Sequence, residues 1–166
     1  TCEPLPVGST GIVCLKGPNI FEGYLGQPEK TAEVLGDDGW LTTGDLGRVD
    51  ADGFLFIEGR LSRFSKIGGE MVPHGAVETA IANVLDVADA DVPQVAVASK
   101  ADPNKGEALV LVTTLNLTVE ELTPKLQAAG LANLWIPRTL LTVEAIPTLA
   151  SGKLDLKALR QLAAEA

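Results

Sequence analysis

The sequence predicts an α+β fold, in which a β-rich segment at residues 1–61 is followed by a compact domain of strands and helices at residues 62–166. Two observations support this prediction. Up to Arg60, short apolar runs alternate with turn residues, which is typical of strands. After Arg60, segments with helical apolar spacing are interleaved with hairpin-like runs, which is typical of an α+β domain.

Two runs in the first segment are predicted strands. GIVCLK at 11–16 ends in a Gly-Pro-Asn turn, and GFLFIEG at 53–59 follows the turn residues DADG. Asp50 and Asp52 flank the second turn and could suggest a calcium loop. Because the run lacks the other ligands of such a loop, including its closing glutamate, turn chemistry is the better interpretation.

The second segment contains predicted helices and strands in alternation. Apolar side chains between residues 75 and 86 repeat at helical spacing and predict an amphipathic helix. Two strands joined by the turn ADPNKG, and a third strand further on, are also predicted: QVAVASK at 94–100, EALVLVTT at 107–114 and RTLLTV at 138–143.

Two side-chain patterns predict where further helices begin. Thr118 followed by Glu121 is a capping box, although Pro124 predicts a kink or a later start for that helix. Asp155 is the predicted N-cap of a last helix. Three apolar side chains of this last helix share one face: Leu156, Leu159 and Ala163.

Composition excludes several classes of protein. The 166 residues are 46% hydrophobic and 21% charged, with a net charge of −9. This acidic balance argues against nucleic acid as a partner, because phosphate binding requires a basic footprint. No apolar run approaches the ~18 residues of a membrane span. The chain opens on Thr1 without a basic and then apolar leader pattern, and we expect it to be a fragment of a longer protein.

The cysteines and the histidine predict no metal centre. Cys2 and Cys14 are too few for a disulfide scaffold and lack the spacing of metal ligands. His74 is the single histidine and cannot complete a zinc site. We interpret all three side chains as structural or incidental.

Four motifs occur in order along the chain: GWLTTGDLG at 39–47, GFLFIEGR at 53–60, SKIGGEMVPHGAVE at 65–78 and PTLASGK at 147–153. Together they resemble the C-terminal part of the adenylate-forming superfamily, which includes acyl-CoA synthetases, firefly-luciferase-like enzymes and the adenylation domains of peptide synthetases. GIVCLKGPNIFEGYLGQPEKT at 11–31 also resembles that superfamily, so the likeness covers essentially the whole chain. It implies that residues 1–61 end a large adenylating domain, mostly missing here, and that residues 62–166 form its mobile C-terminal lid domain.

The resemblance implies a site for ATP and AMP, with Mg²⁺ accompanying ATP in the full enzyme. Asp45, in Thr-Gly-Asp, matches the carboxylate that accepts hydrogen bonds from both ribose hydroxyls. Arg60 matches an arginine that reaches the ribose and phosphate side, and Ile57 matches an apolar position packed against the nucleotide. A turn aspartate, a surface arginine and a core isoleucine are the alternative interpretations of these residues.

The Ser-Gly-Lys triplet near the end of the chain is not a phosphate-binding P-loop. Such a loop requires glycine where Pro147 stands and Ser or Thr where Leu154 follows the lysine. The resemblance implies instead that Lys153 is carried by the lid domain to the reacting phosphate, where it stabilises charge during adenylation. Ser151 and Gly152 would bend the loop. The alternative is a surface lysine beside a helix, and within this chain we expect Lys153 to be exposed.

The resemblance also implies a second half-reaction, in which the lid rotates about a hinge and the acyl group passes to a thiol. The hinge corresponds to Ser62, where the superfamily usually has Asp or Lys. After rotation, Lys66 matches a second lysine implicated at the active site. Gly68 and Gly69 would let a pantetheine arm pass close to the backbone. The other interpretation is that the two glycines form a β-turn, and this interpretation does not exclude the first.

A narrower likeness concerns the acyl acceptor. GRLSRFSKIGGEMVPHGAVE at 59–78 and KADPNKGEALVLVTT at 100–114 resemble the bacterial acyl-acyl-carrier-protein synthetases of bifunctional 2-acylglycerophosphoethanolamine acyltransferases. This implies a fatty acid ligase that loads the phosphopantetheine thiol of acyl carrier protein for lysophospholipid reacylation. The full-length protein would then work on the cytoplasmic side, associated with the inner membrane. A fatty acyl-CoA ligase, and a noncatalytic module that binds carrier protein or nucleotide, are the alternatives.

Acyl carrier protein is acidic, as is this chain, so binding would depend on a local basic surface. Arg63 and Lys66 are the best candidates, with Lys100 or Lys105. We expect the chain to be inactive alone, because the superfamily's phosphate loop and its adenine-pocket motif Tyr-Gly-x-Thr-Glu do not occur in the sequence.

Overall fold

The structure, a computed structural model, describes residues 2–166. The chain divides into two compact units, Thr1–Ser62 and Arg63–Ala166. The helices and strands, in chain order, are β1 Gly11–Leu15, α1 Pro28–Val34, β2 Leu41–Val49, β3 Leu55–Arg60, β4 Phe64–Ile67, β5 Glu70–Pro73, α2 His74–Val84, β6 Val95–Asp102, β7 Gly106–Thr113, α3 Val119–Ala128, β8 Thr139–Thr142 and α4 Leu156–Glu165. Short 3₁₀ turns lie at Leu61–Arg63 and Asn133–Trp135. The predicted α+β class is confirmed.

The first unit contains a three-stranded antiparallel sheet in the order β1-β2-β3. β2 is the central strand and has an irregular register between Leu46 and Gly47. A side chain at Gly47 would come within 2.7 Å of the Phe56 carbonyl oxygen, which explains a glycine at this position. β1 and β3 confirm the two predicted strands, whereas β2 and the short α1 have no predicted counterpart.

The second unit is a sheet with helices packed on both faces. Its strands have the order β5-β4-β7-β6, and β8 pairs with β7 in parallel. Alternate residues of β6 and β7 face opposite sides of the sheet. One face packs against α2 and α3 through Val97, Leu109, Leu111, Ile81, Leu122 and Leu126. The other face packs against α4 through Ala96, Ala98, Val110, Val112, Leu159 and Ala163. β7 is therefore buried on both sides, which explains its unbroken apolar run.

The beginnings of two helices follow the predicted caps. Thr118 accepts a hydrogen bond from the Glu121 N–H at 3.3 Å, and the Glu121 carboxylate accepts one from the Thr118 N–H at 2.9 Å. Because this capping box fixes the start of α3 at Val119, the later start predicted from Pro124 is wrong. Asp155 caps α4 by accepting hydrogen bonds from the second and third N–H groups of that helix.

Cys2 and Cys14 form a disulfide bond that ties the segment before β1 to β1 itself. The sequence did not indicate this pair, because cysteine spacing alone does not show which positions the fold brings together. Among residues 2–166, no helix is long and apolar enough to cross a membrane.

Candidate functional site

Asp45 and Arg60, predicted from two separate motifs, lie opposite each other on β2 and β3. Arg60 Nη1 is 3.1 Å from Asp45 Oδ1, and it also donates a hydrogen bond to the Thr43 carbonyl oxygen at 2.8 Å. The Thr43 hydroxyl in turn accepts from the Asp45 N–H and donates to the Val13 carbonyl oxygen. The backbone that carries Asp45 is thus bonded to both neighbouring strands.

The sequence at Thr-Gly-Asp suits this arrangement. Gly44 has a φ of 76°, a left-handed conformation that glycine adopts without steric cost. Both charged side chains remain partly accessible to solvent, with 33% of the Asp45 side chain and 60% of the Arg60 side chain exposed. The pair therefore offers carboxylate acceptors and guanidinium donors at one point of the surface, which suits a ligand that combines hydroxyls with phosphate.

Ile57 lies on β3 opposite Gly47 and is 58% exposed. The alternative interpretation of Ile57 as a core residue is therefore wrong within the described chain. An exposed isoleucine on the same strand as Arg60 leaves an apolar contact available to a ligand or to another part of the protein.

Lys153 lies in a tight, hydrogen-bonded loop between β8 and α4. Thr148 and Leu154 form an antiparallel bridge, and the Leu149 N–H donates to the Lys153 carbonyl oxygen at 2.8 Å. The Gly152 N–H closes the turn on the Leu149 carbonyl oxygen at 2.9 Å, with Gly152 in a left-handed conformation at φ 80°. The Lys153 side chain is exposed, as expected, and the loop backbone that carries it is held by these hydrogen bonds.

Lys66, Gly68 and Gly69 lie on the hairpin of β4 and β5. Gly68 and Gly69 form its two-residue turn with φ values of 58° and 91°, which confirms the β-turn interpretation and explains the glycine pair. Lys66 is exposed, while its neighbours Ser65 and Ile67 point into the unit. The strand alternation therefore directs the lysine side chain to solvent beside the turn.

Ser65 and His74 form a buried hydrogen bond that the sequence did not predict. Ser65 Oγ and His74 Nε2 are 2.8 Å apart, and both residues are buried. Burial, assisted by the charge of Arg63, lowers the pKa of His74 to about 4, so the imidazole is neutral at pH 7. Within residues 2–166, no cluster of three or more His, Cys, Asp or Glu side chains could hold a metal ion.

Arg63 is held inside the second unit. Its Nη2 forms an ion pair with Glu78 Oε2, and its Nη1 donates to the Val97 carbonyl oxygen at 3.1 Å. The Val97 N–H donates to Glu78 Oε1 at 2.7 Å, which closes a ring of three residues from three segments. The Arg63 side chain is only 17% exposed. The prediction that Arg63 is a surface cation for a carrier protein is therefore wrong.

The other basic candidates differ in exposure. Lys66 and Lys105 are exposed, whereas Lys100 is half-buried and its Nζ donates to the Ala166 carbonyl oxygen at 2.7 Å. Ser62, the predicted hinge, lies in the 3₁₀ turn Leu61–Arg63, and the division into two compact units falls directly after it.

Comparison with known proteins gives a consistent set of relatives. No protein-family model matches the chain. The chain is 34% identical over 164 residues to a salicylyl-CoA synthase / salicylate adenylyltransferase of Streptomyces sp, covering 96% of this chain and 29% of that protein. It is 33% identical over 168 residues to the medium/long-chain-fatty-acid–CoA ligase FadD8 of Mycobacterium tuberculosis, covering 95% of this chain and 28% of that protein.

A solved structure agrees with these relatives. The crystal structure of ATP-bound MatB from Rhodopseudomonas palustris superimposes with a TM-score of 0.72 at 30% identity, covering 95% of this chain and 31% of that one. The chain thus spans less than a third of the length of the proteins that it matches. These relatives and neighbours group the chain with the adenylate-forming superfamily, and its fold matches the C-terminal domain of those enzymes.

Proposed function

We propose that this chain is part of an ATP-dependent acid–thiol ligase, which forms an acyl-adenylate and then passes the acyl group to a thiol. One observation carries the proposal. Asp45 and Arg60, each matched to nucleotide binding by a different motif, are brought within 3.1 Å by the pairing of β2 with β3. The relatives, named as CoA ligases and an adenylyltransferase, support the same reaction class.

In this proposal Asp45 and Arg60 bind the nucleotide. The ion pair with Arg60 is recorded at Asp45 Oδ1, and the partly exposed carboxylate has further lone pairs that can accept a ribose hydroxyl. Arg60 keeps further N–H donors for the phosphate side, and the exposed Ile57 offers an apolar surface to the nucleotide. Mg²⁺ would arrive with ATP, bound to its phosphates.

Lys153 acts in the adenylation step. Attack of a carboxylate on the α-phosphate builds negative charge, and an ammonium group on an ordered loop stabilises that charge without having to be reorganised. The loop around Lys153 is ordered by backbone hydrogen bonds at both ends. We propose that Lys153 becomes active only when it meets the nucleotide held by the large domain.

Lys66, Gly68 and Gly69 act in the thiol step, after a rotation about Ser62. Glycines at the hairpin tip have no side chains, so an extended pantetheine arm can approach the backbone there. Lys66 emerges next to this tip and supplies positive charge to the leaving AMP. The rotation would take place at the 3₁₀ turn Leu61–Arg63, which contains Ser62.

We propose a fatty acid as the acid substrate and acyl carrier protein as the acceptor, in the service of lysophospholipid reacylation at the cytoplasmic side of the inner membrane. FadD8, named as a fatty-acid ligase, supports the fatty acid. The acceptor and the lysophospholipid link rest on the likeness of residues 59–78 and 100–114 to carrier-protein synthetases. CoA is the second candidate acceptor, because the relatives are named as CoA ligases.

The ligase proposal is tested by fatty-acid-dependent exchange of pyrophosphate into ATP. We expect exchange from the full-length protein that contains this chain, and none from residues 1–166 alone. Pyrophosphate exchange by the isolated chain would contradict the proposal that residues 1–166 contain only part of the adenylating site. A full-length protein that shows no exchange with any acid would contradict the ligase assignment.

The acceptor is tested separately, by comparing kcat/KM for the phosphopantetheinylated carrier protein and for CoA. A higher value for the carrier protein is expected. A higher value for CoA would reject the carrier-protein assignment and leave the acid–thiol ligase intact.

A further inference from the structure

The strand that carries Lys66 has little backbone pairing with the rest of its sheet. β4 pairs with β5 over four residue pairs, but it pairs with β7 only at Ile67 and Gly106. The Lys66 N–H, one residue before that pair, donates instead to a side chain, Glu107 Oε2, at 2.7 Å. The Glu107 carboxylate therefore accepts the hydrogen bond that a backbone carbonyl of the neighbouring strand would otherwise accept. It does so at Lys66, the residue to which the proposed function gives a catalytic role.

Glu107 is itself fixed by a second hydrogen bond. Its Oε1 accepts from the Ser99 hydroxyl on β6 at 2.7 Å, while its own backbone belongs to β7. Glu107 and Ser99 are both half-buried. Hydrogen bonds to a carboxylate are roughly twice as strong as those between neutral groups, and partial burial protects them from competition with water. One carboxylate thus connects three strands of the sheet.

The hairpin tip next to Lys66 is held by two further contacts. The Gly68 N–H donates to the Lys105 carbonyl oxygen at 2.9 Å, and Glu70 accepts from the Trp135 indole N–H at 2.7 Å. Glu107, by contrast, binds the backbone N–H of Lys66 itself. Removing it would free the Lys66 N–H and leave the hairpin attached through its tip.

We propose that Glu107 is a positioning residue for Lys66, which fixes the origin and direction of the lysine side chain in the thiol-transfer step. This inference rests on the proposed function. Glu107 does not need to touch the substrate, because it acts through the backbone of Lys66. The consequence is a selective one: loss of Glu107 impairs transfer and leaves adenylation, which depends on other residues, unchanged.

The structural part of the inference is tested on the isolated chain by amide hydrogen exchange at Lys66. Glu107→Ala should speed exchange of this amide by about tenfold, the effect of losing one hydrogen bond to a charged acceptor. Glu107→Gln should stay close to wild type, because its carboxamide oxygen can accept from Lys66 and its NH₂ group can donate to Ser99. Glu120→Ala, which removes an exposed carboxylate on α3, is the matched control. Equal exchange in wild type and Glu107→Ala would overturn the inference.

The functional part is tested on the full-length protein by measuring the two half-reactions separately. Glu107→Ala should slow acyl transfer roughly tenfold with pyrophosphate exchange unchanged, and Glu107→Gln should restore transfer. In a Lys66→Ala background, Glu107→Ala should add no further loss, because its effect passes through Lys66. Additive losses, or an equal loss of adenylation, would overturn the positioning role. A wild-type protein without pyrophosphate exchange would instead refute the proposed function, and the amide-exchange result would stand.

If Glu107→Ala does not fold, Ser99→Ala is the second variant. It removes only the bond that orients the carboxylate. A smaller increase in Lys66 amide exchange with the same selective loss of transfer is expected, and unchanged exchange and transfer would overturn the inference.

Discussion

Asp45 and Arg60 form an ion pair across β2 and β3, with Asp45 Oδ1 and Arg60 Nη1 3.1 Å apart. Both side chains are about a third or more exposed, and exposed pairs of this kind contribute only ~0–1 kcal/mol to folding. Their orientation is nevertheless fixed, since Arg60 also donates to the Thr43 carbonyl oxygen. The pair therefore contributes little to stability, and in the proposed function its role is to present both groups to the nucleotide.

The first prediction concerns Asp45→Asn in the full-length protein. Neutralising the carboxylate should weaken the hydrogen bonds that we propose it accepts from the ribose hydroxyls, by about 1.5–3 kcal/mol for bonds to a charged group. We expect kcat/KM for ATP in pyrophosphate exchange to fall roughly 10- to 100-fold. Asp50→Asn is the matched control, because its side-chain oxygen can still accept from the Asp52 and Phe54 N–H groups. Equal kcat/KM values for wild type and Asp45→Asn would rule out the ribose role.

The second prediction concerns Lys153→Ala. Loss of a preorganised charge donor costs about 3–4 kcal/mol in the transition state, so pyrophosphate exchange should fall by a few hundred-fold. The midpoint of thermal unfolding of the isolated chain should not change, because this side chain is exposed. Lys157→Ala, also exposed and four residues further on, should leave both measurements unaltered. A lowered unfolding midpoint for Lys153→Ala would show that the lysine side chain stabilises its own loop, which would contradict a role reserved for the bound nucleotide.

The third prediction separates the two lysines. Lys66→Ala should slow transfer of the acyl group from the preformed adenylate roughly 10- to 100-fold, with pyrophosphate exchange within about twofold of wild type. Single-turnover thioester formation measures the transfer step directly. Lys125→Ala, on the exposed side of α3, is the control. The opposite pattern, with adenylation lost and transfer kept, would refute a rotation that brings the β4–β5 hairpin to the site only in the second step.

The fourth prediction concerns the ring of Arg63, Glu78 and Val97. Glu78→Ala removes the carboxylate that pairs with the Arg63 guanidinium and leaves the Val97 N–H without its acceptor, and both groups are largely buried. Breaking a buried pair costs about 3–5 kcal/mol, and we expect the lower end here because 17% of each side chain is exposed. Urea unfolding of the isolated chain measures the change.

A matched control for that experiment is Glu58→Ala, which breaks an ion pair with Arg48 that is 31–40% exposed. This change should cost less than about 1 kcal/mol. Similar costs for the two variants would show that the Arg63 ring contributes no more than a surface pair.

The sequence predicted those parts of the fold whose signal is local. β6 and β7 are long apolar runs joined by a turn, and α3 and α4 begin at side chains that bond to their own helix ends. These patterns depend on neighbouring residues, and they agreed with the structure. β4 and β5, with four residues each, and α1, with seven, are too short to show a period, so they carried no such signal.

In the candidate site, too, the sequence predicted only what local motifs indicate. Asp45, Arg60 and Lys153 lie in recognisable motifs, so their positions could be proposed without coordinates. The Arg63 ring, the Ser65–His74 bond and the Glu107 contact join residues 9 to 41 positions apart. Which partners meet there depends on the packing of helices on the sheet, and no single segment contains that information. For this reason Arg63 was predicted to be a surface cation.

The last prediction concerns acid sensitivity. The folded chain holds the pKa of His74 at about 4, below the value of 6.5 for a free imidazole. The unfolded chain therefore binds more protons than the folded chain between these two values, and stability falls as the pH drops from about 6.5 to 4. The loss attributable to His74 approaches ~3 kcal/mol below pH 4, since one pKa unit corresponds to ~1.4 kcal/mol. Above pH 7 the group has no effect.

Two measurements test this prediction. His74 is the single histidine, so its imidazole resonances can be followed by NMR without assignment, and they should titrate near pH 4. Urea unfolding at pH 7.0 and 4.5 should show a smaller loss of stability for His74→Gln than for wild type. The carboxylates titrate in both proteins, so the difference isolates the histidine. An imidazole that titrates near 6.5 would mean that Ser65 and His74 lie in contact with solvent and not in the core.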